Sequence, residues 1–162
     1  VMRVAVDPLG DTGTLTTSTP VQGPTNIHVS LTRLEAKADG YHVHLLPVKS
    51  GPAACSNENV MGHFNPYGVN VSTSPAPGNG TVDQYEIGDI SGKFGSLADQ
   101  NQFEKHYEDS NMPLSGPNSI IGRSVVIHYR NGSRTESNIW GFRFNCGKVF
   151  WFAGLWADHN VI

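Results

Sequence analysis

Residues 40–47 read Gly-Tyr-His-Val-His-Leu-Leu-Pro, a segment of alternating side chains that lies between a glycine and a proline. Such alternation is typical of a strand with one buried face, because successive side chains of a strand point to opposite sides. Similar segments recur along the chain, and the predicted strands are Arg3–Val6, Gly13–Thr19, Asn26–Lys37, Gly40–Pro47, Tyr85–Ile90, Gln102–Tyr107, Arg123–Tyr129 and Asn145–Phe152. Short strands without helical periodicity between them predict an all-β sandwich or barrel.

The composition of the chain also favours a β-rich domain over a helical one. Its 162 residues include 18 glycines and 10 prolines, which interrupt the chain too often for long helices. Charged residues make up only 15 % of the chain, which argues against a coiled coil or a charge-rich disordered tail. The length predicts a single domain over residues 1–162.

Charge and hydropathy exclude two classes of partner. The net charge of −3 comes from 11 basic and 14 acidic residues, and no basic run follows the chain, so nucleic acid is not expected as a partner. No segment approaches the ~18 consecutive apolar residues of a membrane span, so no membrane partner is expected. The start Val1-Met2-Arg3 lacks the basic and apolar regions of a signal peptide.

The cysteines and glycosylation sequons leave the compartment open at this point. Cys55 and Cys146 are 91 positions apart and lack the spacing of a metal finger. A single long-range disulfide and two separate buried thiols both fit this spacing. Asn-x-Ser/Thr sequons occur at Asn70, Asn79 and Asn131, a number close to chance for this composition. They permit a secreted protein without establishing one.

Four histidines are candidate metal ligands. His42 and His44 are two positions apart on a predicted strand, which places both rings on one face about 7 Å apart. His63 lies in the turn-forming segment Gly62–Pro66, and His128 ends an apolar strand. Imidazole groups suit copper or zinc, whereas hard cations prefer oxygen ligands. Two histidines on one strand face are also typical of a polar outward surface, so the spacing alone does not decide between these readings.

The order of several motifs resembles that of the copper/zinc superoxide dismutases. The resemblance covers about residues 40–146, and the matching segments are Gly40–His44, Gly62–Pro66, Gly88–Asp89, Leu114–Gly116, Ile120–His128 and Arg143–Cys146. It implies an eight-stranded Greek-key β-barrel. It also implies that copper is held at the positions matching His42, His44, His63 and His128.

The chain departs from this family at the zinc site. No histidine occurs between Phe64 and Asp89, so zinc cannot be bound in the family's way. Glu86 stands three positions before Asp89, where the family has a zinc histidine, and Ser91-Gly92-Lys93 follows. Only 14 residues separate His128 from Arg143, so the charged loop of the family is cut down. Both losses resemble the copper-only superoxide dismutases, with copper and no zinc as cofactor. That branch includes secreted fungal enzymes and animal repeat proteins, and a chain that opens without Met is compatible with one repeat among neighbouring repeats.

The resemblance implies an activity and roles for further residues. The expected reaction is disproportionation of superoxide to dioxygen and hydrogen peroxide. His63 is expected to release reduced copper and supply a proton, and Arg143 to hold the anionic substrate. Because ligating histidines donate their second N–H to a partner, Glu86 is expected to orient His63, with Asp89 holding the loop that carries it.

The resemblance also bears on the disulfide and on the alternative function. It implies a disulfide between Cys55 and Cys146, which together with the sequons favours an extracellular, secreted protein. The alternative is an extracellular copper-binding or adhesive module with little turnover. Such a module predicts an incomplete site or a missing arginine. Since the four histidines and Arg143 are all present, the sequence favours the enzyme.

Overall fold

The computed structural model describes residues 2–6, 13–18, 24–49, 54–130 and 146–148, with the backbone alone in the first two ranges and the last. The strands within these residues are β1 (Met2–Val6), β2 (Gly13–Ser18), β3 (Thr25–Leu31), β4 (Ala38–His44), β5 (Phe103–Asp109), β6 (Ser124–Tyr129) and β7 (Cys146–Lys148). Two short α-helices, α1 (Asn57–Val60) and α2 (Ile90–Phe94), and two one-turn 3-10 helices, Val71–Thr73 and Val82–Gln84, lie between strands. In the part of the chain so described, no helix is long and apolar enough to cross a bilayer.

The strands form two antiparallel sheets that face a common core. The larger sheet has the order β1-β2-β3-β5, and the smaller has the order β4-β6-β7. Strand β3 alternates strictly between buried and half-buried residues, so Ile27, Val29 and Leu31 point inward. They share the core with Val43 and Val125 of the smaller sheet. This alternation confirms the all-β class, with seven strands among the described residues.

The pairing of β4 with β6 in the smaller sheet positions three of the four candidate histidines. In the β4–β6 register, His42 pairs with Val126 and His44 pairs with Ser124. His128 is the fifth residue of β6, beyond its four buried residues. The sequence therefore brings these three rings together by strand pairing, a long-range contact between segments about 80 positions apart in the chain.

One predicted strand is too long. The segment Asn26–Lys37 was expected to be a single strand, but β3 ends at Leu31. Arg33, Glu35 and Ala36 have φ values of 56°, 50° and 54°, a left-handed backbone that a strand does not contain. Leu34 and Ala36 alternate with polar residues in this turn, although out of phase with β3, which is why the pattern alone overran the strand. The predicted strand Asn145–Phe152 corresponds to β7 where the chain is described.

Another predicted strand, Tyr85–Ile90, is wrong. These residues form a turn, one isolated bridge between Asp89 and His42, and the first residue of α2. Tyr85 and Ile87 are both buried, which explains the alternating pattern. Asp89 nevertheless begins a helix, because its side chain accepts the backbone N–H of Gly92. The segment packs into the core as a loop.

Candidate metal centre

The four candidate histidines converge on one point. One potential ligand atom from each of His42, His44, His63 and His128 lies within 4.8 Å of every other, a grouping large enough to hold a metal ion. His44 is buried, and the other three rings are half-buried. The structure thus brings together all four histidines that the sequence singled out.

His63 reaches the cluster because its loop adds to the edge of β4. The segment after α1 forms an isolated bridge between His63 and His44. Around it, Leu45 donates its N–H to the carbonyl of Gly62 at 3.0 Å, and Phe64 donates to the carbonyl of Val43 at 2.8 Å. Phe64 is itself buried in the core. Backbone pairing and the Phe64 anchor therefore place His63 beside the two histidines of β4.

In His42, His44 and His63, one ring nitrogen is hydrogen-bonded to a neighbouring residue. His44 Nδ1 lies 2.7 Å from the carbonyl of Met61, and His63 Nδ1 lies 2.8 Å from Glu86 Oε2. His42 Nε2 lies 3.0 Å from Ser91 Oγ. Since a neutral imidazole has one donor and one acceptor nitrogen, each ring keeps its other nitrogen for the cluster. This is the arrangement in which metal-ligating histidines are held.

The ring nitrogens that face the cluster are suited to bind a metal ion, because they lie close together and one of them lacks a hydrogen-bond partner. His44 Nε2 and His128 Nε2 are 3.2 Å apart. His42 Nδ1 is buried and has no hydrogen-bond partner among the described residues. A buried polar atom without a partner is unfavourable unless something else binds it. Four imidazole nitrogens form a donor set that suits a transition metal such as copper. A bound metal would also give His42 Nδ1 the partner that it lacks.

The two acidic residues singled out in the sequence contact different histidines. Glu86 is buried, and its carboxylate pairs with His63 at 2.8 Å. Asp89 Oδ1 lies 3.3 Å from His42 Nε2 and also accepts the N–H of Gly92 at 2.6 Å. Asp89 therefore does more than hold the loop, since its side chain reaches a second candidate ligand.

Burial and these contacts shift the protonation of His42 and Asp89. Burial lowers the pKa of His42 below its usual value, and the hydrogen bond to Asp89 only partly opposes this effect. Burial acts to raise the pKa of Asp89, but its hydrogen bonds to His42, Gly92 and Ser91 favour the carboxylate, and the net effect lowers the pKa. At neutral pH the pair is thus a neutral imidazole beside a carboxylate. Neutral imidazole is the form that binds a metal.

A buried ion pair behind α2 was not anticipated from the sequence. Lys93 Nζ lies 2.7 Å from Asp109 Oδ2 and donates to the carbonyl of Ile87 at 2.9 Å. Both charged side chains are fully buried, and burial lowers the pKa of Lys93 although Asp109 opposes the shift. Because Ile87 follows Glu86 directly, this pair ties the turn that carries Glu86 to the end of β5. The Ser91-Gly92-Lys93 motif was the available signal, but the partner Asp109 is distant in sequence.

Other predicted site residues lie at the margin of the described region or outside it. Arg143 and Asn131 are outside the described residues, and Cys146 is described only by its backbone in β7. Cys55 is half-buried. Asn70 and Asn79 are exposed, as glycosylation requires.

Comparisons with known proteins agree with this geometry. The profile of the copper/zinc superoxide dismutase family matches residues 11–149. A curated relative, cell surface superoxide dismutase (Cu-Zn) 6 of Candida albicans, is 38 % identical over 112 residues, which are 65 % of this chain and 33 % of that protein. The chain therefore spans about a third of the length of this relative.

Solved structures resemble the chain over almost its whole length. Candida albicans superoxide dismutase 5 in its Cu(II) form has a TM-score of 0.73 and 26 % identity, covering 99 % of this chain and 97 % of that one. A mutant of the same enzyme has a TM-score of 0.72 and 26 % identity, covering 99 % of this chain and 94 % of the mutant. The fold is thus like that of copper/zinc superoxide dismutases.

Proposed function

The chain belongs to the copper/zinc superoxide dismutase family, and from this premise we propose that it is a copper-only superoxide dismutase domain. The observation that carries the proposal is the cluster of four imidazole nitrogens within 4.8 Å, with Glu86 on the outer nitrogen of His63. In the zinc enzymes that the chain resembles, that region supplies zinc ligands. Here it supplies a carboxylate that orients a copper ligand.

The histidines would hold copper through the nitrogens that their neighbours leave available. These are Nδ1 of His42 and Nε2 of His44 and His63, with His128 as the fourth ligand. Copper, when bound, supplies one-electron redox chemistry, by which two superoxide ions and two protons give dioxygen and hydrogen peroxide. His42 and His44 are fixed by two different elements, α2 and the end of α1, so their rings stay in place through the cycle.

His63 is the proposed proton donor. Its Nδ1 is held by Glu86 at 2.8 Å, which fixes the ring plane and directs Nε2 into the cluster. Nε2 would be among the atoms that hold copper, and His63 would take up a proton at this atom and supply it to the peroxide product. Arg143, which lies outside the described residues, is the proposed group that holds superoxide by its fixed positive charge.

The absence of zinc is part of the proposal. No histidine lies between Phe64 and Asp89, and Glu86 and Asp89 each contact a candidate copper ligand. Glu86 and Asp89 are therefore engaged in orienting imidazoles. A second metal would have to compete with both of these contacts.

Several features support a secreted protein with the complete barrel of the family. We propose a disulfide between Cys55 and Cys146, and Cys55 carries no free thiol. The curated relative is named as a cell surface protein, and Asn70 and Asn79 are exposed sequon residues.

The proposed eight-stranded Greek-key barrel is supported by the contact between β1 and β7, which brings the edge strands of the two sheets together.

The test follows both products of the reaction. Copper-loaded protein should consume a pulse of superoxide and release dioxygen and hydrogen peroxide in equal amounts. The metal-free protein and a copper-loaded His63→Ala variant are the controls, and both should be far slower. If the loaded protein holds copper but superoxide decays at the uncatalysed rate, the chain is a copper-binding module and the proposal is wrong.

A further inference from the structure

The side chain of Ser91 lies between a candidate copper ligand and a carboxylate. Its Oγ is 3.0 Å from His42 Nε2 and 3.2 Å from Asp89 Oδ1. Asp89 Oδ1 is farther from the ring nitrogen, at 3.3 Å. A serine hydroxyl can accept one hydrogen bond and donate another at the same time. The hydroxyl is therefore placed to accept the N–H of His42 and to donate its own proton to Asp89.

We propose that Ser91 is a positioning residue for the copper site, which holds His42 with Nε2 outward and Nδ1 toward the metal. The inference rests on the proposed copper site. His42 Nδ1 is buried and has no partner among the described residues, so ring orientation decides whether that atom can serve as a ligand. A ring rotated by half a turn would present Nε2 to the cluster and lose both outer contacts.

The local backbone holds the Ser91 hydroxyl in this place. Ser91 is the second residue of α2 and is buried, and Asp89 caps the same helix by accepting the N–H of Gly92 at 2.6 Å. A Cβ atom at position 92 would lie 2.1 Å from Asp89 Oδ2, so only glycine lets the carboxylate approach so closely. Lys93 then fixes the helix from behind through the carbonyl of Ile87.

Neither contact of this hydroxyl serves the helix itself. Serine within a helix commonly bonds a backbone carbonyl of the preceding turn. The side-chain contacts of Ser91 instead go to a ring on β4 and to the capping carboxylate. Asp89 cannot fully replace the hydroxyl, because its Oδ1 already accepts the N–H of Gly92 and lies farther from the ring.

Removal of the Ser91 hydroxyl should weaken copper binding moderately. Loss of a group that orients a metal ligand typically weakens metal binding by about 10- to 100-fold. Since Asp89 remains 3.3 Å from His42 Nε2, Ser91→Ala should fall at the lower end, about 10-fold. The Cu(II) electron paramagnetic resonance spectrum should change as well, because the ring of His42 becomes less constrained. A purely structural role of Ser91 would not change that spectrum.

The experiment measures Cu(II) affinity by competition with a chelator, together with the spectrum of each loaded protein. Ser74→Ala is the matched control, because the hydroxyl that it removes donates to the carbonyl of Gln84 and not to a histidine. Ser91→Thr keeps the hydroxyl and should retain most of the affinity. Thermal unfolding of each metal-free protein establishes that the variants are folded.

Each outcome decides the inference. Weaker copper binding and an altered spectrum in Ser91→Ala, with Ser74→Ala and Ser91→Thr close to wild type, support it. Wild-type affinity and spectrum in Ser91→Ala overturn it while leaving the proposed function intact. Equal losses of affinity in Ser91→Ala and Ser91→Thr with unchanged spectra also overturn it, because packing would then be the cause. If the wild-type protein binds no copper, both the inference and the proposed function are wrong.

Discussion

Replacing Glu86 by alanine should weaken copper binding measurably. The carboxylate is 2.8 Å from His63 Nδ1 and its side chain is only 9 % exposed, so water cannot readily replace it. A hydrogen bond to a charged group contributes about 1.5 to 3 kcal/mol. With 1.4 kcal/mol for each factor of ten, the loss in copper affinity is about 10- to 150-fold. The range overlaps with the usual effect of removing a partner of a metal-bound histidine.

The assay is competition for Cu(II) with a chelator at fixed pH, compared between wild type and three variants. Glu86→Gln keeps an oxygen that can accept the N–H but loses the charge. Charge-assisted hydrogen bonds are roughly twice as strong as neutral ones, so this variant should lose about half as much free energy as Glu86→Ala. Glu104→Ala is the control, because Glu104 is a largely exposed carboxylate on β5. Wild-type affinity in Glu86→Ala would refute the orienting role and the argument that Glu86 replaces a zinc ligand.

Three further predictions concern capture of substrate and stability. Arg143→Glu should strongly lower dismutation and leave copper occupancy intact, and the wild-type rate should fall as salt screens the attraction, as stopped-flow measurements at several ionic strengths would check. Lys93→Met leaves Asp109 buried without its partner and should lower the free energy of unfolding by about 3 to 5 kcal/mol, whereas Lys93→Met with Asp109→Leu should recover most of it in urea titrations. Replacing Cys55 and Cys146 together by serine should lower the free energy of unfolding by about 4 to 5 kcal/mol, because the proposed disulfide closes a long loop; an unchanged urea midpoint would contradict the pairing.

Sequence patterns predicted β3, in which buried and half-buried residues alternate, and the part of β4 that carries the histidines. The alternation of β3 and the paired histidines of β4 follow directly from the two-residue period of a strand. The pattern failed at Tyr85–Ile90, where Tyr85 and Ile87 are buried from a loop. Alternating burial is a necessary feature of such strands but does not distinguish them from a loop packed against the core, and the capping residue Asp89 was the better local signal.

The candidate site could be predicted in its ligands but not in its supporting contacts. The order of the motifs was sufficient to group His63 with the histidines of the two strands. The contact between Ser91 and His42, and the ion pair between Lys93 and Asp109, join residues 49 and 16 positions apart. Such pairs depend on how α2 packs against the smaller sheet and on the end of β5. No local sequence pattern specifies that packing.

The most direct test of the copper-only site is a titration of metal-free protein with copper while dismutation is measured at each step. Zinc is excluded during the copper titration, and copper and zinc in each sample are quantified by mass spectrometry. Activity should rise linearly and reach a plateau at one copper per chain, and zinc added afterwards should neither bind in stoichiometric amount nor raise the rate. Activity that appears only after zinc is added, or a copper-saturated protein without activity, would contradict the account.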